Sequence, residues 1–196
     1  MTNLTYADIL LPIGKKSTML YNVVLVIAGS MLITLSAKIS IPLSFSPVPV
    51  TMQTLAILLI GTLYGSKRGS LTVLAYISQG VMGIPVFAKA GSGFAYLLGP
   101  TGGYLVGFVF AAYITGYFAE KGWGRSFWKT ALAMTIGTSF IFILGVSWLS
   151  LSIGLGKAVM IGLVPFVIGA ITKIVIANAL IPSGWKILEK LNLFKP

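Results

Sequence analysis

Six long apolar runs, separated by short polar or glycine-rich connections, constrain this chain more than any other feature of its sequence. A straight helix needs about 20 residues to cross about 30 Å of hydrocarbon. Helices are the expected spanning elements because their backbone groups pair without water. The sequence therefore predicts an all-α integral membrane protein that forms a single domain of six transmembrane helices. The predicted spans cover residues 19–41, 50–64, 69–84, 102–118, 127–149 and 162–185.

The composition supports a membrane protein and excludes several kinds of chemistry. Only 9% of the residues are charged and 57% are hydrophobic, whereas a soluble chain of this size needs far more charge to cover its surface. The net charge of +11 comes from basic residues scattered singly between apolar runs, so no nucleic-acid surface is expected. The chain has no cysteine and no histidine, which removes disulfides, thiolate chemistry and the commonest general base and metal ligand. We predict no metal and no cofactor.

The basic residues predict the orientation of the six spans. Cytoplasmic loops of membrane proteins carry an excess of lysine and arginine. Ten basic residues fall on one side of the predicted spans: Lys15, Lys16, Lys67, Arg68, Lys121, Arg125, Lys129, Lys186, Lys190 and Lys195. The other side receives Lys38, Lys89 and Lys157, and Lys173 lies inside the sixth span. The sequence thus predicts a multi-pass protein of the cell membrane with both termini in the cytoplasm.

The three outer connections are unusually apolar and rich in glycine and proline. They cover residues 44–51, 85–103 and 150–157, and the first contains two prolines that cannot continue a helix. Irregular backbone of this polarity is tolerated at membrane depth only where it is buried in protein or lines a cavity. We interpret these connections as a lid over a small-molecule pocket; the alternative is that they are tight turns at the membrane interface.

The distribution of acidic residues favours binding over catalysis. The three acids, Asp8, Glu120 and Glu189, all fall on the predicted cytoplasmic side, so no carboxylate is available inside the membrane to couple transport to protons or sodium. A phosphate-binding G-x-x-x-x-G-K-[ST] motif is also missing from the sequence. A membrane enzyme built on Ser92 with Lys89 or Lys173 stays open as an alternative, although a serine nucleophile usually works with a histidine base.

Four sequence blocks resemble a known family. These are S-P-V-P-V-T-M-Q-T-L-A-I-L-L-I-G at residues 46–61, G-I-P-V-F-A at 83–88, L-L-G-P-T-G-G-Y-L-V-G-F at 97–108 and P-F-V-I-G-A-I-T-K at 165–173. They are similar to the BioY family, the biotin-binding S components of energy-coupling factor (ECF) vitamin transporters. The resemblance implies a six-helix subunit that holds biotin near its outer face. It also implies a partner module with a transmembrane coupling subunit and two ATPase subunits.

The resemblance and the loop composition together predict a substrate site. Thr51 and Gln53 offer hydroxyl and amide groups suited to a neutral ureido ring; the alternative for Gln53 is that it caps the start of the second span. Phe87, Phe94 and Tyr96 supply flat surfaces against which a ring can pack. The full predicted set of substrate-binding residues is Val50, Thr51, Gln53, Phe87, Lys89, Ala90, Gly91, Tyr96, Gly102, Ala170 and Lys173.

Two residues depart from the family pattern. The family usually shows G-D-x-x-K where this chain has G-A-I-T-K, so Ala170 replaces an acid. Lys89 stands where a small or neutral side chain is expected. Either biotin is bound differently here or the protein prefers another vitamin. We predict that one of the two lysines holds the biotin carboxylate, with Lys173 favoured. The alternatives are that Lys89 extends to the lipid headgroups and that Lys173 bonds to backbone carbonyls.

The first span carries small residues that predict a contact with another helix. Ala28, Gly29, Ser36 and Ala37 lie among bulky neighbours, and small residues let membrane helices approach closely. The resemblance implies that the coupling subunit docks on this helix. The alternative is packing against the second or third span of the same chain.

Overall fold

Eleven helices and strands make up the computed structural model, which describes residues 4–10 and 15–190. The helices are α1 (Tyr6–Ile9), α2 (Lys15–Lys38), α3 (Gln53–Tyr64), α4 (Ser66–Val81), α5 (Phe94–Leu98), α6 (Gly102–Glu120), α7 (Phe127–Ile153), α8 (Leu155–Gly162) and α9 (Val164–Lys190). The strands are β1 (Ser40–Leu43) and β2 (Ser46–Thr51), and short 3₁₀ turns cover Ala88–Ala90 and Trp123–Arg125.

Each predicted span corresponds to a helix, but within the described residues only four helices are long and apolar enough to cross a membrane by themselves. These are Met19–Lys38, Gly102–Glu120, Phe127–Ile153 and Val164–Lys190. Helix α3 is apolar but has only 12 residues, which is about 18 Å at 1.5 Å per residue. Helix α4 has 16 residues. The protein is thus a mostly helical, multi-pass membrane protein.

The bounds of the helices differ from those of the predicted spans at several places. Helix α2 ends at Lys38 rather than at residue 41, and α3 begins at Gln53 rather than at residue 50, because two strands occupy the connection between them. Helix α4 begins at Ser66 and ends at Val81, three residues before the predicted positions at each end. Helices α6, α7 and α9 run past their predicted ends, to Glu120, Ile153 and Lys190.

The expectation of an entirely α-helical protein was wrong at one place, a β-hairpin formed by β1 and β2. The strands are antiparallel and pair Ser40 with Thr51 and Ile41 with Val50. Proline lacks the N–H that a central strand needs, but a hairpin has two edge strands, which accommodate Pro47 and Pro49 in β2. The two prolines stop the helix as expected, and the first two residues of the partner strand β1 lay within the predicted first span.

Helix α6 lies at the centre of the bundle, in contact with α3, α4 and α7. Glycines let these helices approach closely. A Cβ atom on Gly61 of α3 would lie 2.5 Å from the Ala112 carbonyl oxygen of α6, and one on Gly107 of α6 would lie 2.8 Å from Ile141 Cα of α7. Close approach increases the van der Waals contact on which helix association in a membrane depends.

Helix α1 covers the end of the bundle opposite the hairpin, which we call the α1 end. Tyr6 packs on Trp185 of α9 with ring centroids 4.5 Å apart and donates a hydrogen bond to the Ile181 carbonyl. Asp8 accepts hydrogen bonds from the Thr5 amide at 2.9 Å and from Arg68 of α4 at 2.6 Å. Burial raises the pKa of the Asp8 carboxyl, but the hydrogen bonds from Thr5 and Arg68 outweigh it and hold the pKa below its usual value. Helix α1 was not predicted from the sequence, because four residues carry no periodicity.

Helix α2 exposes most of its apolar surface, and it buries two of the residues predicted to dock a partner. Gly29 and Ala37 face the interior, and a Cβ on Gly29 would lie 2.6 Å from Thr72 Cγ2 of α4. These two residues therefore pack within the chain, which was the alternative to contact with a partner. Ala28 is exposed and Ser36 is half-buried, so both stay available to a partner helix.

Candidate ligand-binding site

A cavity lies under the hairpin, between the inner faces of α3, α6, α7 and α9. It encloses about 770 Å³, including its opening, and is mostly apolar. Its lining residues are Val48, Pro49, Val50, Thr51, Gln53, Thr54, Leu58, Phe87, Ala88, Tyr96, Thr101, Tyr104, Leu105, Phe108, Thr138, Ile141, Phe142, Phe166, Ala170 and Lys173.

Hydrogen bonds fix the wall of the cavity where β2 passes into α3. The Gln53 amide donates from Nε2 to the Tyr76 hydroxyl of α4 at 2.6 Å, and that hydroxyl lies 3.3 Å from the Val86 carbonyl oxygen, to which it donates. The Gln53 backbone N–H donates to Thr51 Oγ1 at 3.3 Å. The side chain of Gln53 therefore links α3 to α4, and the capping alternative for this residue is not what the structure shows.

An aromatic group closes the cavity on the side of residues 85–103. Phe87 is fully buried and stacks on Tyr96 at 4.7 Å, with the edge of Tyr76 at 5.5 Å. Gly80 of α4 makes room for this ring, because a Cβ there would lie 2.0 Å from Phe87 Cζ. The turn after Phe87 is closed by its backbone N–H, which donates to the Gly91 carbonyl at 3.1 Å.

Lys173 is the cationic group in the lining, and it contacts the hairpin side of the cavity. Its Nζ donates to the Thr51 carbonyl at 2.5 Å and to Thr54 Oγ1 at 2.8 Å. These bonds use two of the three N–H groups of the ammonium. The three acids of the chain lie at or near the α1 end: Asp8 pairs with Arg68, Glu120 accepts hydrogen bonds from Ser66, and Glu189 is exposed. No carboxylate among the described residues lines the cavity with Lys173.

The structure brings seven of the eleven predicted site residues together in the cavity lining: Val50, Thr51, Gln53, Phe87, Tyr96, Ala170 and Lys173. Lys89 and Gly91 instead line a second space of about 670 Å³, including open solvent, which adjoins the cavity on the outside and shares Tyr96 with it. We call this space the vestibule.

Two predicted residues line neither space. Ala90 is exposed beside the vestibule. Both Ala90 and Lys89 have a positive φ, of 58° and 56° respectively. Gly102 is buried at the start of α6, where a Cβ would lie 1.9 Å from the Leu97 carbonyl oxygen. The structure therefore gives Gly102 a packing environment in the turn between α5 and α6.

Sequence reasoning missed the contributions of α6 and α7 to the lining. Tyr104, Leu105 and Phe108 come from α6, and Thr138, Ile141 and Phe142 come from α7. Both sets follow the helical spacing of i, i+3 or i+4, so a signal was present. It was ambiguous because the lipid-facing side of a membrane helix is as apolar as the side that faces a dry cavity.

The fold and the cavity define a class of protein: a helical membrane protein with an enclosed pocket beneath a cover of loops, and without a metal-binding cluster among the described residues. A family model described as "BioY family" matches residues 12–190, and the chain belongs to the BioY family.

Individual relatives agree with this assignment. The chain is 43% identical over 160 residues to the biotin transporter BioY of Thermotoga maritima, covering 81% of this chain and 91% of the relative. It is 39% identical over 142 residues to a probable biotin transporter BioY of Pyrococcus horikoshii, covering 72% and 82%. A crystal structure of the S-component for biotin from an ECF-type ABC transporter superposes with a TM-score of 0.80 at 26% identity, covering 88% of this chain and 95% of the other.

Proposed function

We propose that this chain is the biotin-binding S component of an ECF transporter, which captures biotin near the outer face of the cell membrane and passes it to an ATP-driven module. The observation that carries the proposal is the enclosed cavity in which the residue 46–61 block meets Lys173 of α9. The relatives are transporters, so the alternative of a membrane enzyme is set aside.

The chemistry of the lining suits each part of biotin. The aromatic rings of Phe87, Tyr96, Phe108 and Phe142 offer apolar surface to the fused rings and the aliphatic chain. The hydroxyl of Thr51 and the amide of Gln53 suit a neutral ureido group, which both donates and accepts hydrogen bonds.

We propose that Lys173 holds the biotin carboxylate. Its ammonium has one N–H left over from the two bonds to Thr51 and Thr54, and no acid of the described lining offsets its charge. A charge at membrane depth is costly when it is unpaired, so an anionic ligand gains more here than a neutral one. Lys89, exposed in the vestibule, would then meet ligand only on its way in.

The six-span topology with both termini in the cytoplasm belongs to the same proposal. It is supported by the ten basic residues on one side of the spans. Helices α3 and α4 are too short to cross the whole membrane. The hairpin and the buried segment around Phe87 occupy the remaining thickness on the outer side. The cavity then opens toward the outside.

The proposed partners are a transmembrane coupling subunit and two ATPase subunits. A surface for the coupling subunit is available on α2, of whose spanning window only 17% is buried within the chain. Ala28 and Ser36 are the small residues on its accessible part, and they would permit close approach of a partner helix.

One observation favours a second candidate, an S component with altered vitamin preference. Ala170, which replaces the acid of the family pattern, lines the cavity. A carboxylate at that position would accept hydrogen bonds from ureido N–H groups, and alanine cannot.

Titration of the purified protein with biotin tests the proposal, with calorimetry or tryptophan fluorescence as readout. We expect nanomolar-range binding without ATP or an ion gradient, because a ligand of about 16 heavy atoms can reach this affinity in an enclosed site. Parallel titrations with other water-soluble vitamins test the second candidate. A folded protein that does not bind biotin at micromolar concentration would refute the biotin assignment.

A further inference from the structure

Thr138 on α7 departs from the behaviour of the other helical threonines. A threonine in a helix commonly donates its hydroxyl to the carbonyl four residues earlier. Seven described threonines do so, at 2.8–3.0 Å: Thr34, Thr62, Thr72, Thr115, Thr130, Thr135 and Thr172. Thr54 accepts from Lys173 instead. The Thr138 hydroxyl has no hydrogen-bond partner among the described residues.

The position of Thr138 makes this departure significant. Its side chain is only 7% exposed, and a buried hydroxyl without a partner is unfavourable. The residue also lines the cavity. A threonine on a helix has two favourable side-chain rotamers, so one rotation about Cα–Cβ is enough to re-aim the oxygen.

Thr138 lies at the floor of the cavity. On each helix that lines it, one residue is the last lining residue toward the α1 end: Leu58 on α3, Phe108 on α6, Thr138 on α7 and Lys173 on α9. Two of these four are apolar. The Lys173 ammonium extends from this level back to Thr51 and Thr54 on the hairpin side, so the Thr138 hydroxyl is the polar side-chain group at the floor among the described lining residues.

We infer that Thr138 is a further ligand-binding residue, whose hydroxyl donates a hydrogen bond to an acceptor group of the ligand at the floor of the cavity. The inference rests on the proposed function. A ligand group that fills the floor replaces the missing internal partner, so the hydroxyl gains a bond on binding that it lacks in the empty protein. Because an apolar group would leave the hydroxyl unpaired, Thr138 selects ligands with an acceptor at the floor.

The test compares Thr138→Val, which keeps the shape and removes the hydroxyl, with Thr138→Ser, which keeps the hydroxyl. Thr62→Val is the matched control, since Thr62 is equally buried but donates to the Leu58 carbonyl and does not line the cavity. We expect Thr138→Val to weaken biotin about 2- to 12-fold, the range of one net hydrogen bond. Thr138→Ser should stay within about twofold of wild type, and Thr62→Val should bind normally.

Thermal unfolding of the empty proteins gives a second readout. Thr138→Val should melt at the wild-type temperature or higher, because it loses a hydroxyl that has no internal partner, whereas Thr62→Val should melt lower. Wild-type affinity in Thr138→Val would overturn the inference. So would an equal loss of affinity in Thr138→Ser, which would indicate a role of shape, or a melting temperature of Thr138→Val as low as that of Thr62→Val. Lack of biotin binding by the wild-type protein would refute the proposed function itself, and this inference with it.

Discussion

Replacing Lys173 with methionine separates the charge of this residue from its bulk. The ammonium donates to the Thr51 carbonyl and to Thr54 Oγ1 and has one further N–H for ligand. A charge-assisted hydrogen bond contributes about 1.5–3 kcal/mol, which corresponds to roughly 10- to 100-fold in affinity. We therefore expect Lys173→Met to raise the dissociation constant for biotin by about that factor.

Biotin methyl ester distinguishes a carboxylate contact from any other effect of the substitution. The ester keeps the rings and the chain but lacks the charge, so Lys173→Met should weaken the ester much less than the acid. Loss of the two internal bonds of Lys173 will also lower the melting temperature. This structural effect should change the affinities for the acid and the ester by the same factor. Calorimetric titration of both ligands against both proteins gives a double difference from which the common effect cancels.

Two further variants complete this experiment. Lys157→Met removes an exposed lysine of α8 and should bind both ligands normally. Lys89→Met tests the lysine in the vestibule and should alter the association rate more than the equilibrium affinity. Equal losses for acid and ester in Lys173→Met would refute the carboxylate contact. Unchanged binding of both ligands would indicate that Lys173 has a structural role only, through its bonds to Thr51 and Thr54.

Three other predictions concern the lid, the α1 end and the partners. Gly80→Ala should destabilise the protein by about 1–3 kcal/mol and weaken biotin, because the new Cβ would overlap Phe87, which lines the cavity. Asp8→Asn should lower the stability by about 0.5–1 kcal/mol near neutral pH, since it keeps an acceptor for the Thr5 amide but removes the charge that pairs with Arg68. The chain alone in lipid vesicles should bind biotin but not accumulate it.

Each of these three has its own control. Gly156→Ala, where a Cβ would meet nothing within 4 Å, should leave binding and melting unchanged; equal damage in both glycine variants would contradict the overlap with Phe87. The pKa of Asp8 is lowered in the folded protein, so its stabilisation is present above the ordinary value of 3.8 and is lost as the pH falls below it. A difference between Asp8→Asn and wild type that persisted at lower pH would be inconsistent with this. Accumulation driven by a proton or sodium gradient would contradict the need for ATPase partners.

Hydropathy was enough to find every long helix, because burial in lipid imposes one requirement on all of them. It could not find the hairpin, since Ile41 and Leu43 are as apolar as the helix they follow, and only their pairing with β2 shows that they form a strand. Helix α1 was missed for a different reason: it is held by tertiary contacts of Tyr6 and Asp8 rather than by a local pattern.

The candidate site was predictable where the sequence is unusual and hidden where it is ordinary. Gln53 and Lys173 stood out because polar groups are rare in this chain, and both line the cavity. Thr138 did not stand out, because threonine is common in the helices and usually satisfies its own hydroxyl. Only the structure shows that this hydroxyl has no partner among the described residues and that it lines the floor of the cavity.

The bonds from Lys173 to the start of α3 have a consequence for the order of assembly. They join residues 122 and 119 positions apart, and the hydroxyl of Ser46 reaches the Ile161 carbonyl across 115 positions. During synthesis the early segment leaves the ribosome long before its partners, and contacts this distant form slowly. Until α9 inserts, the Thr51 carbonyl and the Thr54 hydroxyl lack this donor and the pocket has an open side. The wall of the pocket is therefore completed only when the final helix docks against the start of α3.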